Sequence, residues 1–305
     1  MGDFAVIFPG QGAQFVGMGA PFVEQSATAR ELYERADEVL GYGLSRIILE
    51  GPEDELTLTR HCQPAIYVAS TAMLAVFQEA GRFDPSGCRA AAGLSLGEYT
   101  ALHFAGALSF EDGLKLVAKR GELMQDASDA VPSGMISLIG ADRALAEEVA
   151  QAAAGDDVLS VANILSPKQV VLSGSRAALD RVPEIAKSMG VRRALPLKVA
   201  GAFHSALMQP AADALKEELA GVDLRPARMP VYVNADAGPL TEPAALRAAL
   251  ERQIVEPVLW LESIRRMRED GVDRFLEPGP GRVLTGLLRK IDPDAASENL
   301  DVLED

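Results

Sequence analysis

Residues 4 to 8, Phe-Ala-Val-Ile-Phe, are apolar without alternation, the pattern of a strand buried on both faces of a parallel sheet. The loop Pro9-Gly10-Gln11-Gly12-Ala13-Gln14 stops it, and the third glycine of a dinucleotide fingerprint is missing, with Phe15 in its place. Helical patterns follow at about 24 to 40 and, behind Pro64 at a first helical position, at about 64 to 80. A second apolar run, Ala90-Ala91-Ala92, leads through Gly93-Leu94-Ser95-Leu96-Gly97 into a helical run from Glu98 to Ala107. Ser109-Phe110-Glu111-Asp112 then reads as the capped start of a helix to about Gln125. On that helix Leu114, Leu116, Val117, Leu123 and Met124 share one apolar arc, while Lys115, Lys119 and Glu122 lie opposite.

From Ser133 the texture changes to a short alternating unit. It predicts strand 134 to 139, helix 142 to 154, strands 158 to 163 and 169 to 173, helix 176 to 189 and strand 192 to 197. That βαββαβ order is ferredoxin-like. Longer patterns resume with a helix from Ser205 to Leu219, a strand at Pro230 to Asn234, a helix near 242 to 253 and a strand at Val272 to Leu276. The expected fold class is therefore α/β, with a parallel-sheet large subdomain at 1–130 and 199–305 and an inserted small subdomain at 131–198. If the strands near 4, 88, 230 and 272 are parallel, the loops that follow them share one sheet edge, where open α/β sheets bind ligands.

The chemistry on that edge starts with the G-x-S-x-G stretch around Ser95. Strand, tight turn and helix in this order suit a nucleophile elbow, although a tight structural turn has the same residues. A serine nucleophile needs a base, and the chain has 3 histidines. His103 lies eight residues along the same helix, about 12 Å from Ser95, too far to serve. His61 stands in a polar connection, where a surface role is the default. His204 precedes a helix, whose N-terminal dipole disfavours imidazolium, so it is either a neutral base or a packing residue. Arg120 falls inside the apolar arc of its helix and needs an anionic partner, either a structural carboxylate or a bound ligand.

Bulk composition narrows the partners. The 305 residues are 48% hydrophobic and 24% charged, ordinary for a folded domain. A net charge of −15 excludes the surplus positive charge on which nucleic-acid binding depends. Two candidate basic patches, Arg265-Arg266-Arg268 and Arg192-Arg193, read by default as solvated faces. No apolar run reaches a membrane span and no basic segment precedes one at the start, so a cytoplasmic location is expected. Cys62 and Cys88 make neither a disulfide framework nor a metal spacing.

Across nearly its whole length the chain resembles the malonyl-CoA:acyl carrier protein transacylases. The likeness rests on FPGQGAQ at 8 to 14, QPA at 63 to 65, GLSLGEYTAL at 93 to 102, RGELMQ at 120 to 125, SPKQVVLSG at 166 to 174, FHSALMQPA at 203 to 211, PVLW at 257 to 260 and EPGPGRVLTGL at 277 to 287. The resemblance implies an α/β-hydrolase-like large subdomain with a ferredoxin-like insert. It implies Ser95 as the acylated nucleophile, His204 as its base and Arg120 as the ligand of the malonyl carboxylate. The backbone amides of Gln11 and Leu96 are implied as the oxyanion hole, and the Leu259 carbonyl as the group orienting His204. Asn163, Phe203 and Gln63 are implied as pocket lining, with Phe203 standing where an α-methyl branch would sit.

Malonyl-CoA and acyl carrier protein are then substrates, no cofactor or metal is implied, and the pathway is fatty acid or polyketide synthesis. The sequence departs from the family pattern at Leu94, usually histidine, and at Leu165, commonly asparagine. Two rivals stand beside this: a serine esterase or thioesterase, which gives no use to Arg120, and a non-catalytic carrier-binding homologue, which has no need of Ser95 or His204.

Overall fold

The opening apolar run forms β1 (Phe4–Phe8), every residue of which is buried. The computed structural model describes residues 4–82 and 84–302, so Met1–Asp3, at the head of the segment read for a leader, lie outside the described residues. Helices α1 (Ala20–Gln25), α2 (Ala27–Leu40), α3 (Leu44–Glu50), α4 (Glu53–Thr57) and α5 (Thr59–Glu79) follow, then β2 (Cys88–Gly93), α6 (Gly97–Phe104) and α7 (Phe110–Ala130). The middle of the chain gives β3 (Ser133–Ile139), α8 (Arg143–Ala154), β4 (Leu159–Ser166), β5 (Gln169–Ser175), α9 (Arg176–Ser188) and β6 (Arg193–Pro196). The remainder forms α10 (Gln209–Ala220), β7 (Val231–Tyr232), β8 (Pro239–Leu240), α11 (Pro243–Gln253), α12 (Trp260–Glu269), β9 (Arg274–Pro278), α13 (Val283–Ile291) and β10 (Ala296–Leu300).

One sheet has the order β10-β9-β1-β2-β7-β8 and is parallel except for β8. Alternation along β1 divides its side chains between two cores. Phe4, Val6 and Phe8 join the core that includes residues of α2, α5 and α7, while Ala5 and Ile7 join Trp260, Ile264 and Leu284 of α12 and α13. Helices thus cover both faces, which is why the strand carries no polar residue. The second sheet, β4-β5-β3-β6, is antiparallel and packs α8 and α9 over its own core. Together these give the α/β class with a ferredoxin-like second unit. The units are stitched where Ile164 donates to the Val258 carbonyl at 2.9 Å and Val258 to the Ala162 carbonyl at 2.8 Å.

Several boundaries differ from the sequence expectation. Pro64 is interior to α5 and not at its first turn; the helix tolerates the missing N–H because nearly its whole length is buried, and packing outweighs a local breaker. The pattern at 24 to 40 is two helices, divided at Ser26, whose hydroxyl accepts from Ala29 N–H at 3.2 Å and caps α2. Ser109 caps α7 through Asp112 N–H at 3.0 Å, as its sequence predicts. The acidic tail, uninformative by pattern, adds β10 alongside β9. Two arginines of the candidate basic cluster are held by local carboxylates, Arg266 by Asp270 at 3.1 Å and Arg268 by Asp273 and Asp292 at 2.8 and 2.7 Å.

Candidate active site

Between β2 and α6 the chain reverses within three residues, and Gly93 and Gly97 make that possible. A Cβ on Gly93 would stand 1.9 Å from the Gly97 carbonyl carbon, and one on Gly97 would stand 2.2 Å from the Phe8 carbonyl oxygen. Only hydrogen fits at either position. Ser95, between them, takes φ 54°, a left-handed conformation that costs a residue with a Cβ roughly 1–2 kcal/mol. Tertiary hydrogen bonds hold it there: Ser95 N–H donates to Asn234 Oδ1 at 2.7 Å, and Gln253 Nε2 donates to the Ser95 carbonyl at 3.0 Å.

His204 arrives from beyond the second sheet, also left-handed at φ 58°. Its Nε2 lies 2.8 Å from Ser95 Oγ, and its Nδ1 lies 2.8 Å from the main-chain oxygen of Gln253. A carbonyl only accepts, so Nδ1 carries the proton and Nε2 presents a lone pair to the serine hydroxyl. Burial, and then the positive charge of Arg120, lower the His204 pKa to about 4, so the ring is neutral.

The carbonyl that orients His204 is therefore that of Gln253 and not of Leu259. Leu259 is the N-cap of α12, and its oxygen is taken by the main-chain N–H and hydroxyl of Ser263, both at 2.9 Å. Gln253 is the last residue of α11, where a helix carbonyl has no intrahelical donor and is free for another partner. A signal for it exists in the sequence: Leu246, Ala249, Leu250 and Gln253 form the buried stripe of α11, with an amide where an apolar residue belongs.

Arg120 is 1% exposed. Its Nη1 donates to Gln63 Oε1 at 2.7 Å, and its Nη2 donates to Gln253 Oε1 and to Ser95 Oγ, both at 3.0 Å. The guanidinium carbon sits 5.6 Å from the centroid of the Tyr99 ring. Among the described residues no carboxylate forms an ion pair with it. Burial lowers its pKa, yet a guanidinium stays charged at any ordinary pH. The choice left open by the sequence thus narrows: among the described residues no carboxylate pairs with Arg120 directly, the side-chain amides of Gln63 and Gln253 hold its fork, and the buried Glu98 acts on it only through its charge.

Phe8 and Gly93 are opposite one another in the parallel pair β1–β2. Gln11 and Leu96 each lie three residues past those partners, in the two loops at the same sheet edge. Neither main-chain N–H makes a hydrogen bond among the described residues, which leaves two donors available to an anionic oxygen.

Other candidates lie elsewhere. Phe203, beside the histidine, is buried in the large core. Asn163 is buried on β4, where it bridges to Val258, and no side-chain hydrogen bond links it to Ser95, His204 or Arg120 among the described residues. His61 and His103 direct Nδ1 to the carbonyls of Glu55 and Leu108, both at 3.1 Å. Burial pushes the thiols of Cys62 and Cys88 up to about 12 and 11, which leaves them unreactive. Leu94 fills part of the turn with hydrocarbon; a Cβ on Gly10 would meet its Cδ2 at 3.1 Å. Leu165 packs between two of the cores.

A parallel α/β sheet with a serine on the turn after one strand, a histidine against it and free amides from two adjoining loops defines a protein of the serine acyl-transfer class. Residues 5–292 match the family model described as the acyl transferase domain. Malonyl CoA-acyl carrier protein transacylase of Bacillus subtilis strain 168 is 43% identical over 293 residues, covering 96% of this chain and 91% of that one. The protein of the same name from Escherichia coli K12 is 41% identical over 291 residues, covering 95% and 93%. The crystal structure of an acyl carrier protein S-malonyltransferase from Vibrio cholerae superposes with a TM-score of 0.93 at 40% identity, covering 99% and 97%. A solved complex of a type II PKS acyl-carrier protein with its malonyl-transacylase gives a TM-score of 0.93 at 40% identity, covering 99% and 96%. The chain belongs to the acyl transferase family, among the malonyl-CoA:acyl carrier protein transacylases.

Proposed function

We propose that this chain transfers a malonyl group from malonyl-CoA to the phosphopantetheine thiol of acyl carrier protein, through an acyl-enzyme on Ser95. The observation that carries the assignment is Arg120, a buried cation beside the serine that no carboxylate pairs directly among the described residues. Its planar fork suits the free carboxylate of a malonyl group. Residues 1–130 and 199–305 act as the catalytic subdomain, with 131–198 as an insert.

In the first half-reaction His204 Nε2 takes the Ser95 proton while Oγ attacks the thioester carbonyl. The oxyanion is received by the N–H groups of Gln11 and Leu96, and the thiolate of CoA leaves with the proton from His204. In the second, the carrier thiol gives its proton to His204 and attacks the ester carbonyl, the bond from the carbonyl carbon to Ser95 Oγ breaks, and His204 returns the proton to Oγ as the malonyl thioester of the carrier departs. No step calls for a metal or redox cofactor. A fatty acid synthesis role is the primary assignment. A polyketide-loading role shares the chemistry, and the type II PKS complex among the similar structures is the observation in its favour. No helix among the described residues is long and apolar enough to cross a membrane, in keeping with a cytoplasmic site of action.

A panel of acyl-CoAs assayed with and without acyl carrier protein tests this. Malonyl transfer to the carrier is expected to exceed acetyl transfer, with slow hydrolysis when the carrier is absent. Hydrolysis as fast as transfer would replace the transferase with a thioesterase.

The pH profile provides an independent check. His204 is neutral down to about pH 4, so kcat/KM for malonyl transfer should hold to about pH 5 and fall below it as imidazolium replaces the proton acceptor. Glu98, whose buried carboxyl is pushed up to about 7, is separated by repeating the profile with Glu98→Gln. An acid limb near the ordinary histidine value of 6.5 in both proteins would contradict the tautomer and environment described for His204.

A further inference from the structure

We propose that Asn234 and Glu98 are positioning residues for acyl transfer: Asn234 fixes the Ser95 turn, and Glu98 fixes Asn234. The inference rests on Ser95 as nucleophile, and goes beyond the residues that touch the acyl group.

Asn234 is 1% exposed and uses all four of its polar groups. Its side-chain Oδ1 accepts from Ser95 N–H and its Nδ2 donates to the Gly93 carbonyl, both at 2.7 Å. One planar amide therefore spans the turn from the residue that closes β2 to the serine itself. Its main-chain N–H donates to Glu98 Oε2 at 2.7 Å, and its carbonyl accepts from Leu259 N–H at 2.9 Å. Leu259 follows Val258, the residue that pairs with β4. The clamp on the turn is thus tied on one side to α6 and on the other to the segment joining the two sheets.

The arrangement decides which amide faces the reaction. A nucleophile turn offers the N–H of the serine and that of the next residue. Here Asn234 takes the first, so Leu96 N–H is the one left free among the described residues. Glu98 explains why Asn234 does not drift. It is fully buried in the first turn of α6, where the helix dipole favours a carboxylate, and it accepts from Asn234 main-chain N–H. Among the described residues Glu98 makes no hydrogen bond to the Ser95 hydroxyl or the His204 ring; its carboxyl accepts from the Asn234 main chain at 2.7 Å, and its charge also acts on Arg120. Without Glu98, the left-handed φ of Ser95 would relax and carry Oγ off the line to His204 Nε2.

The test uses the full chain and compares Asn234→Ala, Glu98→Ala and Glu98→Gln with the parent. Three quantities are measured: malonyl transfer to acyl carrier protein, the rate at which phenylmethylsulfonyl fluoride sulfonylates Ser95 with release of fluoride, and thermal unfolding. Asn234→Ala and Glu98→Ala should each lower kcat and the sulfonylation rate about 30-fold, the size of one lost buried hydrogen bond to a charged or strained partner. KM for malonyl-CoA should stay within about threefold in Asn234→Ala, since Arg120, Gln63 and the Glu98 charge that acts on Arg120 are untouched. Glu98→Gln keeps an oxygen acceptor and should recover most of both rates.

A purely structural role would lower the folded fraction and leave the rates per folded molecule at the parent value, and that result overturns the inference. If the alanine variants do not fold, Asn234→Asp decides: it keeps the acceptor for Ser95 N–H but sets a carboxylate oxygen against the Gly93 carbonyl. It should lose about tenfold in kcat with KM unchanged, and an unchanged kcat overturns the inference. Ser95→Ala separates the two levels. Sulfonylation or malonylation persisting in that protein removes the nucleophile itself, whereas labelling confined to Ser95 at undiminished rates in the positioning variants removes only the present inference.

Discussion

Ser95→Ala protein incubated with malonyl-CoA gains no mass, while the parent gains one malonyl group per chain. Transfer to acyl carrier protein by the variant falls by about ten-thousand-fold or more, the scale on which enzymes of this chemistry lose activity when the nucleophile is removed. The effect is this large because no other hydroxyl shares the geometry. Among the described residues Ser95 Oγ is the one hydroxyl hydrogen-bonded to His204 Nε2, at 2.8 Å, and its neighbours in the turn, Leu94 and Leu96, carry no hydroxyl. Intact-mass spectrometry of the two proteins checks it, and a malonylated Ser95→Ala protein would remove the assignment. The fold is expected to survive, since the two hydrogen bonds that hold the turn run through the main chain of residue 95.

Arg120→Ala is expected to lower malonyl transfer about a thousandfold, or about 4 kcal/mol at the tenfold-per-1.36 kcal/mol conversion, and acetyl transfer by tenfold or less. The difference comes from the carboxylate. Two charge-assisted hydrogen bonds in a buried site account for that loss, and an acetyl group never makes them. Arg120→Lys should recover little of the malonyl rate, because a point charge on a flexible stem cannot reproduce the fork held by Gln63 and Gln253. Parallel kcat/KM measurements with malonyl-CoA and acetyl-CoA check both. Equal losses for the two acyl groups would make Arg120 a scaffold for Gln63 and Gln253 and not a carboxylate ligand.

How much of this was legible in the chain depends on whether each signal is local. β1 and β2 are apolar runs that no periodicity contradicts, and the small unit announces itself by alternation and short spacing. Arg120 stood out because a guanidinium on an apolar helix face is anomalous on one helical wheel. Asn234 and Glu98 had no such signal. Their partners are 139 and 136 residues distant in the chain, and a polar residue in a turn or in the first turn of a helix looks ordinary. Leu259 was a mistaken assignment for a related reason. A main-chain carbonyl carries no side-chain signature of its own; the amide of Gln253 in the apolar stripe of α11 marks the position, and the helix boundary there shows that its oxygen is free. Pro64 misplaced a helix start because burial along α5 outweighs the local preference of one residue. In β7 only Val231–Tyr232 pair as strand, so the five-residue run was longer than the ladder it supports.

The contact of Arg120 Nη2 with Ser95 Oγ at 3.0 Å has a consequence for timing. One lone pair of the nucleophile accepts from a cation, which draws electron density away from the atom that must attack. A carboxylate arriving on the guanidinium competes for the same N–H, and in taking it hands the lone pair back to the serine. Selectivity then acts at the nucleophile as well as in binding: the carboxylate that Arg120 holds is also what releases the serine.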